Sequence, residues 1–168
     1  TNTETSDEHG IIVAGISADQ RGIVLEDASI SGSPMEWARR AVSLYRSWGA
    51  DGIVVEVNQG GDMVAHTLRT IDANVNIIEV RASRGKHVRA EPIAALYEQG
   101  RIAHVGAFPE LEAQMTQMTT TGYEGDGSPD RVDALVWAFT DLFPDMVDRV
   151  PDVSKYYANG AAKGWLSA

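Results

Sequence analysis

A single carboxylate lies inside one of the most apolar stretches of the chain. Residues 52–57 read Gly-Ile-Val-Val-Glu-Val, a β-branched run typical of a buried parallel strand. Burying the Glu56 carboxylate costs on the order of several kcal/mol unless a cation, a proton or a partner relieves it. A polar, glycine-containing turn over residues 58–61 follows, and ligands of open α/β sheets bind beyond the carboxyl ends of the strands. Glu56 is therefore the first candidate for chemistry, with a structural ion pair to a nearby arginine as the alternative.

Two further carboxylates are spaced three residues apart near the start of a predicted helix. Asp130 and Asp133 follow Ser128 and Pro129, a pattern in which Ser caps the helix and Pro is its first residue. Asp130 then falls in the first turn, where the helix dipole favours an acid. Asp133 is expected beyond that turn, on the same side of the helix. Two carboxylates held together repel unless a cation lies between them, so the pair indicates a metal site.

A basic segment contrasts with a chain whose net charge is −10. Five of the nine residues from 81 to 89 are Arg, Lys or His. Such a run is either a solvated face or a patch that contacts phosphate, and the sequence leaves both interpretations open.

Hydrophobic periodicity predicts the elements that would position these groups. Strands are predicted over residues 10–17, 23–28, 53–57, 76–80 and 102–105, the first two as an antiparallel hairpin. Helices are predicted over residues 34–48, 62–72, 86–99, 109–118 and from 129 onward. Residues 119–127 are expected to form a flexible loop, long enough for a lid. Residues 1–143 are predicted to form one domain and residues 144–168 a tail or linker.

The composition excludes several kinds of catalytic and metal-binding site. The 168 residues include no cysteine, which excludes disulfides, thiolate metal sites and a cysteine nucleophile. The four histidines have no spacing that indicates a zinc site. No apolar run approaches the length of about 18 residues that spans a membrane, and no signal-peptide pattern is present, so we expect a cytoplasmic protein.

Taken together, these motifs resemble the C-terminal nuclease domain of the large terminase subunit of tailed bacteriophages and prophages, a ribonuclease H-like family. The resemblance covers roughly residues 7–143. It rests on four stretches: Val54-Val-Glu-Val-Asn-Gln-Gly-Gly-Asp-Met63, Ala82-Ser-Arg-Gly-Lys86, Glu91-Pro-Ile-Ala-Ala-Leu-Tyr-Glu-Gln-Gly100 and Ser128-Pro-Asp-Arg-Val-Asp-Ala-Leu-Val-Trp137. The Asp-x-x-Asp-Ala-Leu pattern by itself is also similar to Holliday-junction resolvases of the same superfamily.

The resemblance implies an α/β fold with a ribonuclease H-like mixed sheet flanked by helices, and metal-dependent cleavage of double-stranded DNA. Glu56 matches the second acidic position of the family, and Asp133, or Asp130 with it, matches the last. Such carboxylates would hold two Mg²⁺ or Mn²⁺ ions about 3.5–4 Å apart. Arg84, Lys86 and Arg89 would contact the DNA backbone without reading its sequence.

The family's first catalytic Asp, on the first strand of its sheet, has no counterpart in the sequence. We therefore expect that strand to lie upstream of Thr1 and the 168 residues alone to be weak or inactive as a nuclease. Asp7 is the nearest acid and a possible auxiliary ligand. No Gly-x-x-x-x-Gly-Lys-[Ser/Thr] motif occurs, so ATP hydrolysis is not expected; the implied partners are a terminase ATPase domain and a portal protein in a bacterial host cell.

Three alternatives stay open at this stage. The first is a resolvase-like junction nuclease, which would prefer four-way junctions to linear duplex. The second is a catalytically incomplete module that docks onto DNA or the portal and whose acids are structural. The third, an α/β nucleotide-binding domain, rests only on Gly60 and Gly61, and a lone glycine pair is a weak signal for a phosphate loop.

Overall fold

The computed structural model describes residues 8–57 and 63–147 and has a mixed α/β architecture, as predicted. Its strands are β1 (Glu8–His9), β2 (Ile12–Ile16), β3 (Gly22–Asp27), β4 (Ile30–Ser31), β5 (Ile53–Glu56), β6 (Ile77–Val80), β7 (Ile102–His104), β8 (Met118–Thr119) and β9 (Gly122–Tyr123). Its helices are α1 (Pro34–Ser47), α2 (Met63–Ile71), α3 (Lys86–Glu98), α4 (Pro109–Thr116), α5 (Asp130–Leu142) and α6 (Pro144–Val147).

The predicted hairpin forms one edge of a three-stranded mixed sheet in the order β2-β3-β7. β2 pairs antiparallel with β3, with a bulge between Val13 and Ala14. β3 pairs in parallel with β7, so that Gly22 lies opposite Ile102. The pairing of β3 with β7 thus joins two parts of the chain that are far apart in sequence.

The strand that carries Glu56 belongs to a separate parallel pair. β5 pairs with β6 in register, and Glu56 lies opposite Val80 at the carboxyl end. α1 and α2 pack against each other beside this pair, and their apolar faces share a core with Val55 and Val57. A capping box fixes the start of α1, because the Ser33 hydroxyl accepts from the Glu36 amide and the Glu36 carboxylate accepts from the Ser33 amide.

α5 connects the two groups of strands. It packs against β2 and β3 of the mixed sheet and against β5 of the parallel pair. Its buried residues join the larger core together with α3 and α4: Val132, Leu135, Val136, Phe139, Ile93, Leu111 and Met115. Among the described strands, none pairs with the second edge of β2 or of β5. The packing of α5 against β5 therefore places the Glu56 strand beside the helix that carries Asp130 and Asp133.

Two local predictions are wrong. Residues 119–127 are not an irregular loop throughout, because β8 and β9 pair as a short hairpin and Thr119 is buried. α5 begins at Asp130 instead of Pro129, since the Ser128 hydroxyl donates to the Asp130 side chain (2.7 Å) and caps no backbone amide.

The predicted tail begins with a short helix. Met146 and Val147 of α6 are partly buried against the larger core. The rest of that segment, residues 148–168, lies outside the described residues, as do Asp7 and the turn over residues 58–62.

A polar cluster ties α3, β7 and α4 together. The two ring nitrogens of His104 contact the Tyr97 hydroxyl (2.8 Å) and the Glu112 carboxylate (3.0 Å). Glu112 also accepts from the Phe108 amide (3.2 Å). Burial raises the pKa of Tyr97, and the hydrogen bond from His104 lowers the pKa of Glu112.

Glu112→Gln is expected to lower the free energy of unfolding by about 1 kcal/mol at neutral pH, a value that allows for the partial exposure of the carboxylate. A carboxyl whose folded pKa is lowered contributes stability above its unfolded pKa and loses it as pH falls through the folded value. Urea unfolding at pH 7 should therefore separate the variant from wild type, and the difference should shrink at pH 4 and below. A difference that is constant with pH would show that the carboxylate charge is not the cause.

Among the described residues, no helix is both long enough and apolar enough to cross a membrane.

Candidate active site

Glu56 lies at the carboxyl end of β5, between side chains from two helices. The indole Nε1 of Trp137, on α5, donates to Oε2 of Glu56 (2.9 Å). The Nη1 atom of Arg89, on α3, lies 3.6 Å from the same oxygen. The Glu56 side chain keeps 27% of its surface exposed. The strand therefore presents a carboxylate that is oriented by neighbours yet open to solvent on one side.

Arg89 is a buried cation. Its side chain is 12% exposed, and its guanidinium lies over the Trp137 ring at 4.6 Å from the centroid. Such stacking on an indole is favourable for a cation. Within the described residues, Nε and Nη1 of Arg89 have no hydrogen-bond acceptor. The ion pair with Glu56 and the stacking on Trp137 therefore stabilise the buried positive charge. Arg89 thus supports the Glu56 carboxylate and is not a freely exposed cation.

Asp133 pairs with the other α3 cation that the sequence singled out. The Lys86 ammonium forms an ion pair with the Asp133 carboxylate, and it also donates to the Ser128 hydroxyl (3.1 Å). The Asp133 side chain is 17% exposed and that of Lys86 46%. Burial raises the pKa of Asp133, Lys86 and Arg89 oppose that shift, and the charge of Glu56 adds to it. Glu56 and Asp133 are therefore close enough to repel each other, with Lys86 and Arg89 as their counterions.

Asp130 reaches this cluster only through Ser128. The Ser128 hydroxyl donates to Asp130 Oδ1 and accepts from Lys86, which makes a chain of three polar groups. Since α5 starts at Asp130, Asp133 also lies in the first turn, where the helix dipole favours it. The expectation that Asp133 lies beyond that turn is wrong, and its position alone does not demand a metal.

The amino-terminal end of α5 is fixed by contacts from three other elements. Arg131 donates through Nε to Asp27 of β3 (2.9 Å) and forms an ion pair with Glu8 of β1. The Gln114 side chain of α4 accepts from the amides of residues 131 and 132. Gly10 lies directly against this turn, since a Cβ there would collide with the Asp130 carbonyl oxygen. These contacts set the position of Asp130 and Asp133.

Arg84 lies apart from the cluster. It belongs to the exposed segment between β6 and α3, and among the described residues it has no hydrogen bond or ion pair. The three predicted DNA contacts thus differ. Arg84 is exposed and unpaired among the described residues, Lys86 is half-exposed and paired with Asp133, and Arg89 is buried and stacked on Trp137.

The oxygen atoms of this cluster meet only part of what a metal centre needs. Carboxylate oxygens are the ligands that Mg²⁺ and Mn²⁺ prefer, and Glu56 and Asp133 supply them. Within residues 8–57 and 63–147, however, no group of three or more His, Asp or Glu side chains is close enough to hold an ion. The described carboxylates therefore have the chemical type that such a centre needs, but they do not form one by themselves.

Three residues of this site were not predicted from the sequence: Trp137, Arg131, and Ser128 in its role as a bridge between Lys86 and Asp130. Two spacings could have pointed to the cluster. Asp133 and Trp137 are four apart on one helix, and Lys86 and Arg89 are three apart on another, so each pair shares a face.

Replacing the buried acid by its amide tests the electrostatic balance. A carboxyl whose folded pKa is raised contributes stability at low pH and loses it as pH rises through the folded value. Asp133→Asn is therefore expected to be at least as stable as wild type at pH 8, with the difference closing towards pH 4. Thermal unfolding across this range measures it, and a variant that becomes progressively less stable than wild type as pH rises would contradict it.

Comparison with known proteins agrees with the fold. The family model for the terminase RNaseH-like domain matches residues 1–142. No curated protein matches the sequence at a significant level. The chain belongs to the terminase RNaseH-like domain family, a nuclease-type domain.

Proposed function

We propose that this chain is a metal-dependent endonuclease domain of a phage or prophage terminase that cuts double-stranded DNA during genome packaging. One observation supports this most strongly. Glu56, at the carboxyl end of the parallel strand β5, pairs with Arg89 of α3, and Asp133 of α5 pairs with Lys86, one turn away on the same helix. Carboxylates from a strand end and a helix, gathered beside a sheet, are the groups that a two-ion phosphodiesterase uses.

In this proposal Glu56 and Asp133 would supply part of the ligand set of two Mg²⁺ or Mn²⁺ ions, and Asp130 would have to move toward them to add a third carboxylate. When bound, the ions supply an activated water for in-line attack and stabilise the leaving oxygen. Trp137 and Arg89 orient the Glu56 carboxylate, and Ser128 orients Asp130. By analogy with the superfamily, hydrolysis leaves a 5′-phosphate and a 3′-hydroxyl.

Arg84, Lys86 and Arg89 are proposed to serve DNA binding in two different ways, two by contact and one indirectly. Arg84 and the half-exposed Lys86 reach solvent, so they would contact backbone phosphates and compensate locally for an acidic chain. Arg89 is buried on Trp137 and would act indirectly, by holding Glu56. The wider partners would be a terminase ATPase domain and a portal protein, in the cytoplasm of a bacterial host.

Salt dependence separates these roles. Arg84→Ala and Lys86→Ala should each weaken binding to a linear duplex and reduce the slope of log K against log salt by about 1. Arg89→Ala should leave that slope unchanged, because a buried guanidinium releases no counterion from DNA. Fluorescence anisotropy over a salt series with Mn²⁺ present measures the slopes. An unchanged slope in Arg84→Ala and Lys86→Ala would remove both from the interface.

A docking module is the second candidate. It is favoured by the observation that both acids already have side-chain counterions. In this role Glu56 and Asp133 would be structural, and the chain would bind DNA or the portal without cutting.

Mn²⁺-dependent nicking of supercoiled plasmid, with calorimetric titration of Mn²⁺, tests the proposal. We expect Mn²⁺ binding and slow nicking in wild type, and loss of both in the Glu56→Ala/Asp133→Ala double variant. Mn²⁺ binding without nicking would indicate an incomplete nuclease site. Absence of both Mn²⁺ binding and nicking would contradict the metal site and favour the docking module. Four-way junctions serve as a second substrate, since a preference for them would favour a resolvase-like activity.

A further inference from the structure

The two cations that neutralise the site differ in how firmly they are held. Arg89 is 12% exposed and stacked on an indole, whereas Lys86 is 46% exposed and its ammonium has polar contacts to Asp133 and Ser128. Lys86 is also the first residue of α3, where the helix dipole disfavours a positive charge. The contact with Asp133 therefore keeps the ammonium in place against a local cost.

We infer that Lys86 is a tethered counterion which a divalent ion displaces from Asp133, and that the displaced ammonium then binds the phosphate of the DNA. The inference rests on the proposed metal-dependent function and adds a coupling between its two ligands. A divalent ion brings two charges to the carboxylate and a lysine brings one, so the ion competes effectively for Asp133. A lysine carries its charge on a flexible stem, so it can leave without disturbing packing.

Thermodynamic linkage requires that the effects of metal binding and DNA binding on each other be reciprocal. If metal binding frees Lys86 for phosphate, Mn²⁺ strengthens DNA binding, and DNA strengthens Mn²⁺ binding by the same factor. A protein without the Lys86 charge does not have to displace it, so its affinity for Mn²⁺ in the absence of DNA is higher. Arg89 does not take part in this exchange, because its stacking on Trp137 holds it beside Glu56.

The test compares Mn²⁺ affinity in wild type and Lys86→Met without DNA, by calorimetry and by quenching of tryptophan fluorescence. The Trp137 indole donates to Glu56, so it should report on the site, and Trp137→Phe assigns the signal. Arg81→Met is the matched control, since it removes one charge from the segment leading into α3 and Arg81 has no ion pair among the described residues. Thermal unfolding verifies that each variant is folded.

Lys86→Met should bind Mn²⁺ about 3–10-fold tighter than wild type, because it lacks the positive charge beside Asp133. Solvent screening of the half-exposed lysine keeps the effect within this range. Arg81→Met should stay within about 2-fold, and DNA should strengthen Mn²⁺ binding less in Lys86→Met than in wild type. Equal or weaker Mn²⁺ binding in Lys86→Met, or an equal gain in Arg81→Met, would overturn the inference while leaving the nuclease proposal intact. Absence of Mn²⁺ binding in both wild type and Lys86→Met would overturn both.

Discussion

Glu56→Gln and Asp133→Asn should each lower Mn²⁺-dependent nicking at least about 100-fold while the fold is retained. Both changes keep size and hydrogen-bonding capacity. In Glu56→Gln the side-chain amide oxygen can still accept from the Trp137 indole, so the geometry seen in the structure survives. What each variant loses is the negative charge that a divalent ion requires. Initial nicking rates and Mn²⁺ affinity, measured on the same preparations, should fall together.

Glu79→Gln is the matched control for these variants. Glu79 lies on β6, beside the strand of Glu56, and its side chain is 39% exposed with a long ion pair to Arg69 (3.9 Å). The same loss of one charge on the neighbouring strand should change nicking by less than about 2-fold. A folded Glu56→Gln or Asp133→Asn variant that keeps more than a tenth of the wild-type rate would show that this carboxylate is not a ligand.

The double variant gives a further constraint. Residues that act as one unit lose function together, so combining Glu56→Gln with Asp133→Asn should cost little more than either change alone. Multiplying losses would instead indicate that the two acids act independently, which a shared metal centre does not allow.

Local sequence patterns were sufficient for most of the fold. The apolar run around Glu56 and the apolar spacing of α1 and α5 are short-range features, and each formed the predicted element. The hairpin β8–β9 was missed because its strands have two residues each and no alternating pattern. The start of α5 was misplaced because a serine hydroxyl can serve a side chain instead of a backbone amide, and spacing does not distinguish the two.

The site was predictable in its acids but not in its counterions. A carboxylate within an apolar strand and an acid pair on a helix are visible in the sequence, whereas their neighbours depend on how β5, α3 and α5 pack. Lys86 and Arg89 illustrate the limit. Their composition suggested phosphate contacts, yet in the structure one is paired with Asp133 and the other is stacked on Trp137. A basic segment that follows a strand can serve either an incoming phosphate or the protein's own carboxylates.

The largest loss of stability is expected from Arg131→Met. The Arg131 side chain is 12% exposed, its partner Asp27 8% and its partner Glu8 33%, so the variant leaves the buried Asp27 carboxylate and the partly exposed Glu8 carboxylate without this counterion. Removing one partner of such a buried ion pair costs about 3–5 kcal/mol. Met keeps much of the length of the aliphatic stem, so most of the loss reflects the missing charge. Urea unfolding at pH 7 should show a lower midpoint with an unchanged m-value.

Arg46→Met is the control variant, because it removes an arginine that also pairs with an aspartate but is exposed. Arg46 also pairs with an aspartate, Asp72 at 2.8 Å, but its side chain is 62% exposed, so the change should cost no more than about 1 kcal/mol. Arg131 holds the first turn of α5 against β1 and β3, so its loss should also disturb Asp133 and lower Mn²⁺ affinity, which Arg46→Met should leave intact. Equal stability losses in the two variants would mean that the Arg131 network does not anchor α5. A large stability loss with unchanged Mn²⁺ affinity would mean that the contacts of Gln114 and Gly10 position Asp133 without it.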